Sequence, residues 1–439
     1  MSGARDRLLA LYRAAIAGAD IESLTADAVA SVPLEGRHRV WVFAIGKAAH
    51  PMSRAAVSTL QRSLAELCGG VVVGTDDEPP PAGTISAMSG DHPLPGPRSF
   101  AAASALQQVI TSKRGTDLGI VLLSGGASSL IGAPLRGLEP DEYTRLFDLL
   151  LGAGLDITRM NAIRKRFSYW AAGRMALALA PARTFCFAVS DVPGDDLATV
   201  GSGPCVPDPT RVQRVIELLH EARLHDRLAP TFRQYLMDAA RGAIPETPKE
   251  SHPAFAHMSA RVIANNSGAL AAAAAAANRE GVAAAVRADP LTGDAMVAGT
   301  RLADALIAER VGAEPGATRC LIWGGETTMR LDGAAPPGGR CQALALAAAE
   351  RLSQAGDGGA GITLLAAGTD GRDGTTSAAG AIVDSSTWSC ISAAGIDPAA
   401  ALRARDAHRA LASARALVET GPTGTNVMDV VIGLVERPR

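Results

Sequence analysis

Residues 184–204 read Thr184-Phe-Cys-Phe-Ala-Val-Ser190, then Asp191-Val-Pro-Gly-Asp-Asp196, then Leu-Ala-Thr-Val-Gly201-Ser-Gly-Pro204. The first seven residues form a short apolar run with β-branched and aromatic side chains, the pattern of a strand buried on both faces. The run stops abruptly at carboxylates and glycines. Open α/β sheets bind ligands beyond the carboxyl ends of their strands, so charge placed at such an end marks the edge where a site belongs.

The same grammar recurs along the chain. Val40-Trp-Val-Phe-Ala-Ile45 runs into Gly46-Lys47-Ala48, where backbone amides and an ammonium can meet an anion. This is not a Walker A loop, because Trp41 stands where its first glycine belongs and Ala48 replaces its Ser or Thr. Gly70-Val-Val-Val-Gly74 leads to an acidic, proline-rich loop around Asp76 and Pro81, read as solvated. The stiff turn at 89–97 exposes His92, read as a turn former rather than a catalyst. Asp117-Leu-Gly-Ile-Val-Leu-Leu123 ends in Ser124-Gly-Gly-Ala-Ser-Ser129, where Gly125 and Gly126 let backbone approach a ligand while Ser124 and Ser128 supply hydroxyls.

Beyond a helix at about 139–155, Asn161, Arg164, Lys165 and Ser168 fall at i, i+3, i+4 and i+7 and share one helix face. Such a stripe is either solvated or lines an anion site. An amphipathic helix over 5–18, with Leu8, Leu9, Tyr12 and Ala15 on one face, is expected to pack on a sheet. Residues 242–257 lack periodicity, and the expected domains are 1–241, a linker at 242–259, and 260–439. The second half repeats the pattern. Strands at 260–264 and 282–287 flank an alanine-rich helix; Arg319-Cys-Leu-Ile-Trp323 stops at Gly324-Gly-Glu-Thr-Thr328; Pro337-Gly-Gly-Arg340 opens a helix; Gly361-Ile-Thr-Leu-Leu-Ala-Ala367 stops at Gly368-Thr-Asp-Gly-Arg-Asp-Gly374. Thr420-Gly-Pro-Thr-Gly-Thr-Asn-Val-Met-Asp429 follows near the end.

Composition agrees with this reading. A chain of 439 residues, 47% hydrophobic but only 4% aromatic, builds its cores from Ala, Val, Leu and Ile, which suits an α/β layer fold with two domains. A formal net charge of -2 without a basic stripe argues against nucleic acid and for small-molecule partners. The six cysteines form no C-x-x-C pair and read as reduced thiols. No run reaches the roughly 18 apolar residues of a membrane span, and the cytoplasm is the expected compartment.

Collected at strand ends, Lys47, Arg164, Arg340, Asp191, Asp195, Asp196, Glu326, Asp370 and Asp373 with their glycine turns are an inventory for holding a metal and phosphates. Phosphoryl transfer asks a protein chiefly for positioning and charge neutralisation. Hydride transfer should show G-x-G-x-x-G after the first strand, and the Gly152-Ala-Gly154 run lacks its third glycine.

The ordered series Gly46-Lys47-Ala48, Ser124-Gly125-Gly126, Asn161 to Ser168, Ser190 to Asp196 with Ser202-Gly203-Pro204, Gly324 to Thr328, Gly338-Gly339-Arg340, Gly368 to Gly374 and Gly421 to Asp429 resembles the type 2 glycerate kinases, whose C-terminal domain is called MOFRL. The resemblance spans nearly the whole chain. It implies an N-terminal Rossmann-like α/β/α sandwich, a C-terminal α/β domain and an active site in the cleft between them. The implied reaction is ATP-dependent phosphorylation of the 2-hydroxyl of D-glycerate, or of a similar small hydroxy acid, with Mg2+. The resemblance further implies catalytic roles for Lys47, Asp191 and Arg340, with Lys47 neutralising the phosphoryl group or the substrate carboxylate and Asp191 orienting or deprotonating the hydroxyl. Substrate or phosphate contacts would come from Ser124, Gly125, Gly126, Ser128, Asn161, Arg164, Lys165, Glu326, Thr327, Asp370, Asp373, Thr423 and Asn426. Magnesium would fall to Asp191 and Asp195, and a homodimer is the assembly considered.

The chain departs from the family pattern at Cys341 and Ala343, where G-G-R-N-Q-E becomes G-G-R-C-Q-A. Ala343 removes a carboxylate, which opens the choice of hydroxy acid and a catalytically weak ligand-binding relative. The other alternative is an NAD(P)H-dependent hydroxypyruvate reductase, a label members of this family have carried.

Overall fold

The structure, a computed structural model, describes residues 2–34, 38–329 and 336–438. Strands β1 Arg39–Ile45, β2 Glu66–Gly74, β3 Ile85–Ser89, β4 Leu118–Leu123, β5 Thr184–Val189 and β6 Met258–Ala264 build one sheet in the order β3-β2-β1-β4-β5-β6. All its pairings are parallel. Every residue of β4 is buried, as the unbroken apolar run Leu-Gly-Ile-Val-Leu-Leu requires of a strand with helices on both faces. The order reverses direction between β1 and β4, so the loops leaving those two strands diverge and open a crevice at the carboxyl edge. Expected strands 40–45, 117–123 and 184–190 thus become three adjacent central strands.

Strands β7 Ala283–Val286, β8 Thr318–Gly325, β9 Ile362–Gly368, β10 Gly380–Asp384, β11 Leu417–Val418 and β12 Asp429–Glu436 build the second sheet, ordered β11-β10-β9-β12-β8-β7. Here β7 and β8 pair in parallel while β12 lies antiparallel between β8 and β9. The run Asp-Val-Val-Ile-Gly-Leu-Val-Glu is buried over its first seven residues, and its start therefore meets the carboxyl ends of β8 and β9.

By internal contacts the chain forms two units, Ile21–Ala264 and Met1–Asp20 with Asn265–Arg439. These differ from the expected boundaries of 1–241, 242–259 and 260–439 at both ends. The helix Ser2–Gly18 buries Leu8, Leu11, Tyr12 and Ala15 completely and packs on the helix Asn266–Arg279 and on β12 and β9, so the first residues belong with the last. Residues 242–257 are strapped down rather than free. Glu246 accepts hydrogen bonds from Arg166 and from the Val212 amide, Thr247 donates to Asp208 at 2.7 Å, and Lys249 donates to the carbonyls of Asp208 and Thr210. Strand β6 then pairs with β5, which moves residues 260–264 into the first unit. The core of each sheet is mainly aliphatic, with Trp41, Phe43 and Trp170 buried in the first and Trp323 in the second. The aromatic residues Tyr143, Phe147, Phe167 and Phe232 concentrate in a separate helical core of the first unit.

The docked first helix predicts that Leu11→Ala lowers the unfolding free energy by about 2–5 kcal/mol, the usual cost of a core truncation. A thermal or urea melt checks this; a loose N-terminal arm would show almost none.

Candidate functional site

In the unit Ile21–Ala264 the turns after β1, β4 and β5 interlock at the reversal. The Lys47 amide donates to the Gly125 carbonyl at 2.9 Å, and the Ala48 amide donates to Ser124 Oγ at 3.0 Å. A Cβ at 125 would lie 1.8 Å from Asp191 Oδ2, so any side chain there would displace that carboxylate. At Gly126 a Cβ would stand 3.2 Å from the His92 ring and 3.3 Å from Lys47 Cγ. Lys47, Gly125, Gly126, His92 and Asp191 are therefore one cluster, with the Lys47 side chain exposed. Burial raises the Asp191 pKa above the ordinary carboxylate value, against the lowering pull of Lys47 and Arg164. The turn reading of His92 understates its position. Although the residue is exposed at the surface, partial burial of the ring and the nearby charges of Lys47 and Arg164 push its pKa down to about 4, which favours the neutral imidazole. The signal in the sequence was its place just beyond β3 and directly before Pro93, too short a motif to read alone.

The helix Ile157–Phe167 carries the polar stripe, and the structure turns most of it inward. Asn161 donates to the Thr199 carbonyl at 2.9 Å and accepts from Ser202, whose hydroxyl also pairs with Ser128 at 2.7 Å. Lys165 forms a 2.6 Å ion pair with Asp208, both almost fully buried. Against the desolvation that burial imposes, Lys165 holds the Asp208 carboxyl below its usual value. Asn161, Ser128 and Lys165 thus tie the 199–208 segment to the helix. Arg164 differs from them. Its Nε is buried without a hydrogen-bond partner, its guanidinium lies 5.5 Å over the Phe147 ring, and burial lowers its pKa to about 10. An acceptor arriving from a ligand would relieve that deficit.

Asp196 organises the turn after β5, accepting from the Ala198 amide at 3.0 Å and from the Thr199 hydroxyl at 2.7 Å. Asp195 sits at φ 56°, in the left-handed region. Among the described residues no group of three or more His, Cys, Asp or Glu gathers as a metal cage. Magnesium bound mainly through phosphates and water needs only one or two carboxylates, and Asp191 is a donor of that kind.

In the other unit the strand ends converge on Asp429, which pairs in register with Gly325 of β8 and Gly368 of β9. Arg340 grips it in a bidentate contact at 2.6 and 3.0 Å and also reaches Glu326 at 2.7 Å, so two carboxylates match its charge. Asn266 Nδ2 donates to the carbonyls of Val427 and Asp429 at 2.7 and 3.0 Å. Asp373 caps the helix Arg340–Gln354, accepting from the Cys341 and Gln342 amides at 3.1 and 2.8 Å. Burial lifts its pKa to about 6 despite those two bonds. Thr423 donates to the Thr369 carbonyl at 2.5 Å, and Asn426 accepts weakly from the Met428 amide, so both shape the loop before β12. Asp370 is half-buried and accepts from the Arg372 amide at 3.0 Å, whereas Thr327 is buried. Ala343 belongs to the apolar core, and Cys341 is buried against Asp429. Sequence reasoning gave Asn266 no role and named Asp429 and Tyr12 only within a motif and an apolar helix face, because only the register of β12 and the docking of the two helices bring them together.

A doubly wound parallel sheet with a glycine turn, a cation and a carboxylate at its reversal defines an α/β protein with a crevice at its carboxyl edge. A family described as domain of unknown function DUF4147 matches residues 7–237, and the MOFRL family matches residues 319–429. D-glycerate 2-kinase of Thermotoga maritima is 33% identical over 92% of this chain and 93% of its own. A putative hydroxypyruvate reductase of Agrobacterium vitis is 35% identical over 97% of this chain and 93% of its own. The crystal structure of glycerate kinase from Thermotoga maritima superposes with a TM-score of 0.85 at 31% identity, covering 99% of this chain and 100% of that one. The chain belongs to the glycerate kinase family of DUF4147 and MOFRL domains.

Two outcomes are expected. In a histidine NMR titration His92 stays neutral down to about pH 4, and Lys47→Ala raises its pKa by removing a neighbouring positive charge. Asp373→Ala, which removes the cap of the helix Arg340–Gln354, costs about 1–2 kcal/mol in a thermal melt, while Asp373→Asn costs less because one acceptor remains.

Proposed function

We propose that this chain is an ATP-dependent kinase that phosphorylates the 2-hydroxyl of D-glycerate or a closely similar small hydroxy acid. The observation that carries the reading is the meeting of Lys47, the 124–126 turn and Asp191 at the reversal of a parallel sheet, in a chain of the glycerate kinase family. Lys47 offsets charge on the transferring phosphoryl group or the substrate carboxylate. The 124–126 turn brings backbone close to the phosphates, and Arg164 gains in a bound anion the acceptor that its buried Nε lacks. Asp191 orients the acceptor hydroxyl and takes its proton; burial raises its pKa and so strengthens it as a base. Magnesium, when bound beside Asp191, supplies neutralisation of the phosphate charge.

His92 adds a neutral imidazole beside Lys47, able to exchange hydrogen bonds with the substrate without adding charge. Arg340, matched by Asp429 and Glu326, acts in this reading by fixing those carboxylates rather than as an unpaired cation. No helix among the described residues is long and apolar enough to cross a membrane, and the cytoplasm is the compartment of the proposal.

A coupled assay of ADP release over a panel of small hydroxy acids tests the reading, with NMR locating the phosphate. Lys47→Ala and Asp191→Asn are expected to cut the rate by about 100-fold or more with the fold intact, the range set by losing a positioned proton acceptor. Unchanged rates in both would remove the site assignment. Rapid oxidation of NADH with hydroxypyruvate would instead favour the reductase name borne by the Agrobacterium vitis relative.

A further inference from the structure

A groove of about 500 Å3 lies within the unit Met1–Asp20 with Asn265–Arg439, between the helix Ser2–Gly18 and residues 412–420. Its size suits a small molecule. Arg5, Arg13 and Arg415 line it against one carboxylate, Glu419. The Arg5 guanidinium is partly committed, donating to the Leu417 carbonyl at 2.9 Å. Arg13 and Arg415 are exposed, and neither has an ion-pair partner among the described residues. In a chain of net charge -2, three arginines facing one glutamate in a concavity are a local reversal of sign. Leu9 and Leu417 supply an apolar wall.

Planar guanidinium forks match phosphate oxygens in paired hydrogen bonds, and the apolar wall suits a short carbon body. We propose that this groove binds a small organophosphate dianion and is coupled to the turn at 368–374. The coupling is physical. Tyr12 at the back of the groove donates its hydroxyl to the Gly368 carbonyl at 2.5 Å, where β9 passes into the Asp370 turn. Thr420 on the rim precedes Gly421, whose carbonyl packs against Gly371 of that turn. An anion that draws Arg13 and Arg415 together therefore presses on both supports of the Asp370 turn. The proposal stands apart from the reading of Lys47 and Asp191, and it survives if that reading fails.

Calorimetric titration with glycerol phosphate tests it on the full chain, on Lys47→Ala and on the double variant Arg13→Gln/Arg415→Gln. Expected is binding by the full chain and by Lys47→Ala, with affinity at least tenfold weaker in the double variant, whose ADP-release rate without glycerol phosphate stays unchanged. Hydrogen exchange on the unaltered chain gives a readout independent of variant folding: glycerol phosphate should slow exchange at 412–420 and 368–374. Equal affinity in the double variant, loss of binding in Lys47→Ala, or protection confined to 124–129 would each overturn the groove as the site.

Discussion

A carboxylate buried against backbone is tolerable only when nearby cations offset its lost hydration, and Asp191 is held under that constraint. Its oxygen fills the space that a side chain at 125 would need, while Lys47 and Arg164 pull its pKa down against the burial that lifts it. The rest of the first unit serves this arrangement. The Ser124 hydroxyl and the Gly125 carbonyl fix the turn after β1 to the turn after β4. The helix Ile157–Phe167 presents Arg164 to the cluster because Asn161 and Lys165, on the same face, are anchored to the 199–208 segment. A polar helix stripe thus divides its labour between anchoring and charge.

The second unit solves a related problem with different parts. Asp429 is buried where three strands meet and is matched by the bidentate grip of Arg340, which Glu326 shares. Such geometry is what offsets the desolvation of a buried ion pair. Asp373 and Asn266 then fix the surrounding turns through backbone amides and carbonyls. Several residues that carry chemistry-bearing side chains are consequently spent on shape, and Cys341 and Ala343 lie among buried groups rather than at an open edge. Their departure from the family pattern bears on packing beneath the Arg340 turn before it bears on any ligand.

The strands β1, β4 and β5 and their glycine and acid turns were legible because a strand buried on both faces must be continuously apolar and must end where polar groups reappear. That local rule, applied three times, pointed to an α/β layer fold and to the candidates Lys47, Ser124 to Gly126 and Asp191, whereas the parallel pairing belongs to the assembled sheet. The rule had no access to register or docking. Strand β12 was not among the expected strands, and nothing local says that Asp429 faces Gly325 and Gly368. The proline- and charge-rich segment 242–257 resembles a linker in composition, but Glu246, Thr247 and Lys249 find partners far away in sequence. Tertiary structure alone decided that the first helix belongs with the last 175 residues, that Lys165 pairs inward while the Arg164 Nε finds no partner, and that His92 lies beside a lysine. The physical reason is common to all of these: composition sets which groups must be paired, whereas the partner and the cost depend on desolvation, a property of the packed interior and not of the neighbouring sequence.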